Sequence, residues 1–196
     1  MIVHKTDVTR EEVIRAYARY DLRKKQRAHL VSTSAFDAWK SDDPDEIERH
    51  LEAAGLKARV LAAYLTWKFV KFSVADLLEC AVVNHIFPNE PQAICRLVLR
   101  GKLAEWFPQG TPEWWRQLGG GSEPDVDAIL IVRPAVATER PAKWYLEDGS
   151  GRGLALVQRA LRYGELDRTA WAYVGDTPDE GSRFMREHRE LKDVRL

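Results

Sequence analysis

A chain of 196 residues with 45% hydrophobic side chains can fill one core, or one core with an appended helical part, and should fold without a partner. Its 30 basic and 30 acidic residues cancel to a formal charge of zero, which excludes a global field drawing it to nucleic acid or an anionic membrane; any polyanion site must be a local patch. The two cysteines, Cys80 and Cys95, stand in apolar runs without CxxC spacing or clustered histidines, so they read as buried thiols of a reducing cytosol and no zinc site is expected.

The N-terminal stretch MIVHKTDVTREE lacks the basic-then-apolar layout of a signal peptide, and no apolar run approaches the roughly 18 residues that span a bilayer. A cytoplasmic protein without membrane insertion is expected. Thr9 and Glu12 have capping-box spacing, and Val13, Ile14, Tyr17, Tyr20 and Leu22 follow on a helical stripe, so the first element reads as a helix. Pro44 opens a second helix that Gly55 closes, and LKARVLAAYLTWKFVKF continues as a more apolar one. VADLLECAVVNHIF and PQAICRLVLRG read as two more, so residues 1–118 form an all-helical part. The run LGGGSEPDVD breaks that pattern and marks a linker at 119–127, with strands beginning only beyond it.

In the segment 128–196, AILIVRP is a short β-branched strand ended by Pro134, KWYLED a second and TAWAYV a third. Between the last two, RGLALVQRALRYG is a helix with Leu154, Ala155, Val157, Ala160 and Leu161 inward and Gly164 as its stop. PDEGSRFMREHRELK reads as a final, solvated helix. The expected class is α+β: a large helical N-terminal part and a small mixed-sheet domain.

Where strand meets helix the chain reads YLEDGSGRGLALVQRAL. Glycines at such a turn let an anion approach bare backbone N–H groups, and a helix start adds partial positive charge, although glycines also occupy turns for steric reasons alone. A P-loop would need G-x-x-x-x-G-K followed by Ser or Thr, which is absent, and Gly149, Gly151 and Gly153 give G-x-G-x-G rather than the dinucleotide spacing G-x-G-x-x-G. Nucleotide-binding candidates are Asp148, Gly149, Ser150, Gly151 and Arg152, with Arg133 projecting beside the turn. Glu147 is the candidate for catalysis or for holding Mg2+, with Arg152 beside it. Arg23, Lys24, Lys25 and Arg27 form the basic stretch that could take DNA phosphates, or simply a solvated helix face. The five histidines share no spacing, and the seven tryptophans are first of all core residues.

Gly149, Arg152 and Ala155 stand in G-x-x-R-x-x-A spacing after Asp148, and ILIVRP is similar to the I-x-V-R-P strand that precedes that motif in ParB-like domains. Over residues 122–175 the chain thus resembles the ParB/sulfiredoxin superfamily. It departs from sulfiredoxins, which carry a cysteine and a histidine where Ser150 and Gly151 stand, and from partition ParB proteins, which follow the arginine with a second basic residue where Gly153 stands. In length, in the AYARYDLRKK start and in YLEDGSGR it resembles the plasmid fertility-inhibition proteins of the Osa and FiwA type. That resemblance implies an ATPase and DNase, using ATP and Mg2+, that acts on single-stranded transfer DNA at a type IV secretion or relaxosome component and so suppresses plasmid or T-DNA transfer. A peripheral seat at the inner membrane through such a partner is compatible with it. Two alternatives stay open: a non-enzymatic inhibitor docking on the transfer machinery, and a nucleotide-sensing switch.

Overall fold

The computed structural model describes residues 3–27, 37–53, 58–82, 92–101, 130–139 and 141–191, leaving the side chains of 3–5, 20–27, 58 and 137 outside that description. The elements run β1 (Val3–Thr9), α1 (Arg10–Arg27), α2 (Pro44–Ala53), α3 (Ala58–Ala62), β2 (Tyr64–Ser73), α4 (Val74–Leu78), β3 (Cys80–Val82), β4 (Gln92–Ala93) and α5 (Ile94–Leu99). They continue with β5 (Leu130–Pro134), β6 (Trp144–Asp148), α6 (Ser150–Tyr163), β7 (Thr169–Pro178) and α7 (Arg183–Glu187), with 3-10 turns at Ala137–Glu139 and Arg189–Leu191. The strands form a seven-stranded mixed sheet in the order β1-β2-β7-β5-β6-β3-β4. β5 and β6 are antiparallel, β3 runs parallel to β6, and β3 and β4 are antiparallel.

The chain is therefore α+β, but the large helical N-terminal part is not what the fold contains. Four strands, β1 to β4, precede residue 118, and the sheet begins at Val3. LKARVLAAYLTWKFVKF is helical only through α3; after Ala63 it becomes the ten-residue β2. Its buried positions Tyr64, Trp67 and Val70 are three apart, a helical spacing, because β2 has covered residues on both of its faces. VADLLECAVVNHIF divides into α4 and β3 within its described part, and PQAICRLVLRG into β4 and α5. The C-terminal run is helical for five residues, capped by Ser182, whose hydroxyl accepts from the Met185 amide at 3.2 Å. The expected linker at 119–127 lies outside the described residues.

Two compact units are distinguishable, one of Met1–Lys5 with Phe69–Tyr173, the other of Thr6–Lys68 with Val174–Leu196. In the second, the expected capping box forms: the Thr9 amide donates to Glu12 Oε2 at 2.6 Å and the Glu12 amide to Thr9 Oγ1 at 3.2 Å. Val13, Ile14, Ile47, Leu51, Leu61 and Trp67 are buried in its core. Arg10 pairs with Asp179 at 2.7 Å, both side chains largely shielded.

In the first unit, a second capping box joins Ser73 and Asp76 and starts α4. Val70, Phe72, Leu77, Ile94, Leu130, Leu146 and Val157 are buried there. Cys80 is fully buried and Cys95 partly so, both as free thiols. Burial, and then the charges of Asp76 and Glu79, push the Cys80 thiol well above its usual range, so it stays neutral. Among the described residues no helix is long and apolar enough to cross a membrane.

Gly175 on β7 has no room for a side chain. A Cβ there would stand 2.5 to 2.6 Å from three ring atoms of Tyr64, a buried residue. Gly175→Ala should therefore cost about 1–3 kcal/mol by overpacking. Urea unfolding should show a lower midpoint at unchanged slope; an unaltered midpoint would mean that Tyr64 yields freely.

Candidate functional site

β5 and β6 build the ground on which the glycine turn stands. Their ladder pairs Pro134 with Trp144, Arg133 with Tyr145 and Val132 with Leu146, and then jumps so that Ile131 faces Asp148. Glu147 is thus the extra residue of a β-bulge in β6, one place before the turn begins. Leu146 points to α6 and α4: a Cβ on Gly153 would stand 2.9 Å from Leu146 Cδ1 and 3.4 Å from Leu77 Cδ2. The neighbouring Tyr145 points the other way by strand alternation, and the Arg133 guanidinium lies over its ring at 4.1 Å.

Arg133 does not project from the sheet into solvent. It is buried, its Nε donating to Glu147 Oε1 and its two Nη atoms to the two carboxylate oxygens of Glu139, all at 2.7 Å. Nη1 also donates to the Pro134 carbonyl at 3.0 Å. Glu139 Oε2 accepts further from the Val136 amide at 2.8 Å, tying the end of the 3-10 turn to the residue just before it. Burial opposes the charge on Arg133, but the Glu139 hydrogen bonds and the Glu147 charge outweigh it and hold the guanidinium protonated. Burial first, and then the Glu147 charge, also keep the Tyr145 phenol neutral well above its usual range.

The turn itself is set by Gly149, whose φ of 84° and ψ of 16° are left-handed. A side chain is excluded twice, since a Cβ would lie 2.5 Å from Leu130 Cδ2 and 2.9 Å from Arg152 Nη2. Helix α6 starts at Ser150 without a side-chain cap, and its first closed backbone bond shown here runs from the Gly153 amide to the Gly149 carbonyl at 2.9 Å. The amides of Ser150, Gly151 and Arg152 occupy the first turn, the place where a helix has no carbonyls of its own to offer. Ser150 Oγ donates to the Leu146 carbonyl at 3.4 Å. Arg152 is buried, with the guanidinium folded against Gly149 and Nη2 donating to Asp148 Oδ2 at 3.0 Å.

The expected site residues therefore fall into two groups. Asp148, Gly149, Ser150, Gly151 and Arg152 are together at the β6–α6 turn. Glu147 and Arg133 are together on the Tyr145 side, in an ion cluster with Glu139 that the sequence reading did not include. The only signal for Glu139 was an acid six residues beyond a strand arginine, across Pro134. Among the described residues no group of three His, Cys, Asp or Glu side chains is placed to hold a metal ion, and the Glu147 carboxylate is paired with Arg133. Arg23, Lys24, Lys25 and Arg27 lie on the C-terminal stretch of α1, where only the backbone is described.

No family model, curated protein or solved structure matches this chain.

Removing Arg133 would strand two carboxylates of low exposure. Arg133→Met should therefore destabilise the chain by about 3–5 kcal/mol, the cost of breaking a buried ion pair from one side. Adding Glu139→Gln and Glu147→Gln should return part of that loss. Urea melts of the single and triple variants test this, and a triple variant no more stable than the single one would show that the charges are not the cause.

Proposed function

We propose that this chain is a nucleotide-binding protein of the ParB/sulfiredoxin-like kind, which holds triphosphate oxygens at the β6–α6 turn and acts on DNA moved by a conjugation or type IV secretion apparatus. The observation that carries the nucleotide part is the uncapped start of the fourteen-residue helix α6, entered through a left-handed Gly149 with the Arg152 guanidinium against it. Asp148 supplies the protein's own anion there, at 3.0 Å from Arg152 and only partly shielded. A phosphate would compete with that carboxylate for Arg152 and for the first-turn amides. Support for the transfer-DNA part comes from the resemblance in ILIVRP and YLEDGSGR.

Of the readings open for such a site, binding and sensing is favoured over turnover by the pairing of Glu147 with Arg133 at 2.7 Å. A carboxylate so engaged is poorly placed to polarise water or hold a metal for the turn. Hydrolysis of ATP with cleavage of DNA is the second reading, supported by the position of Glu147 one residue before Asp148 in a bulge, where strand side chains are re-aimed.

Calorimetric titration with ATP, CTP and ADP, with and without magnesium, tests both. Arg152→Ala should weaken triphosphate binding by about 2–3 kcal/mol through the loss of charge-assisted hydrogen bonds. Asp148→Asn, which removes the competing charge, should bind at least as tightly as the parent. A folded Arg152→Ala variant that binds like the parent removes the proposed cradle. Should the parent hydrolyse ATP, and Glu147→Gln slow it by about 10²-fold while binding is kept, the second reading replaces the first.

A further inference from the structure

We infer that the sheet face carrying Phe69 and Lys71 of β2 with Trp171 and Tyr173 of β7 is a docking surface for single-stranded DNA. The inference names a surface for the DNA part of the proposed function and rests on that reading; it does not involve the glycine turn.

β2 and β7 are neighbours in the sheet, and residues two apart on a strand share a face. On one face Val70, Phe72 and Ala172 are fully buried. On the other, Phe69, Lys71, Trp171 and Tyr173 are each only half-buried, so this stretch of the second face is not a core, although Trp67 earlier on the strand is buried. The Phe69 and Trp171 rings stack with centroids 4.6 Å apart and planes within 4°, and Tyr173 joins Phe69 at 4.9 Å. Lys71 Nζ stands 4.9 Å from the Trp171 centroid. Cross-strand contacts thus hold a row of aromatic groups and one cation in fixed orientation before any ligand arrives.

Charge decides between occupants. Among the described residues Lys71 has no carboxylate partner, whereas Lys68 of the same strand is paired with Asp7 and Asp176. A half-open row of aromatic rings beside a cation that has no carboxylate partner among the described residues complements a ligand of bases joined by phosphates, which is a single nucleic-acid strand. A duplex keeps its base faces stacked inside and cannot present them to such a row. An apolar peptide would match the rings and leave the ammonium without a counter-charge.

The test is fluorescence anisotropy of a labelled twenty-nucleotide thymidine oligomer with the full chain, over a salt series, with its duplex as competitor. Phe69→Leu and Trp171→Leu keep apolar bulk but remove the π-face, and each should weaken binding about 5- to 150-fold. Lys71→Gln, a partly exposed site whose change does not burden the fold, should lower the slope of log K against log salt by about 0.7. The duplex should compete at least tenfold less well than the single strand. Nucleotide titration of the same variants should match the parent. If the parent binds no oligomer, the DNA reading falls together with this surface. If it binds, but Lys71→Gln keeps the parental slope and the folded ring variants keep the parental affinity, or if the duplex competes equally, this surface alone is overturned.

Discussion

A guanidinium taken out of water must find its counter-charge where it lies, and Arg133 finds two, Glu139 in the β5–β6 connection and Glu147 in β6 itself. That requirement organises the neighbourhood of the turn. Glu139 is drawn in from the 3-10 turn and takes the Val136 amide with it, while Glu147 is drawn across from the bulge. With Glu147 held on the Tyr145 side, Leu146 is left to meet α6 at Gly153, and Asp148 to meet Arg152. Two adjacent acids are thus sorted to two different arginines.

The second constraint is closeness of approach. Gly149 and Gly153 stand where a Cβ would collide with Leu130, Arg152 and Leu146, so α6 begins as near to β6 as backbone allows. The left-handed Gly149 then reverses the chain within one residue, which brings the helix start directly over the strand end. A turn of this economy has no room for a capping side chain, and α6 starts without one, whereas the starts of α1, α4 and α7 are met by Glu12 and Thr9, Ser73, or Ser182.

The sequence disclosed this half of the molecule well because its elements are short and sharply punctuated: Pro134 ends β5, Gly149 ends β6 and Gly164, left-handed at φ 72°, ends α6. Leu161, expected inward, is half exposed because it lies in the last turn, beyond the buried stretch that ends at Ala160. The N-terminal half was misread where a strand imitates a helix. Buried residues at 64, 67 and 70 mimic a helical stripe, and only the density of aromatic and β-branched residues in YLTWKFVKF spoke for a strand. Ser73 and Asp76 could have corrected this, since a capping box marks a helix start and hence requires that what precedes it has ended. The Arg133 cluster was illegible for a different reason: nothing local in the sequence announces that a strand-end arginine will turn inward.

The bulge at Glu147 divides β6 into a paired stretch and a stretch that belongs to the turn. By absorbing one residue just before the turn, it uncouples the register of β6 from the geometry of its end. Trp144 and Tyr145 are paired with β5 and β3, whereas Asp148, beyond the bulge, is paired with Ile131 of β5 and bonded to Arg152 of α6. A change of side chain in the paired part of β6 is thus separated by one bulged residue from the start of α6.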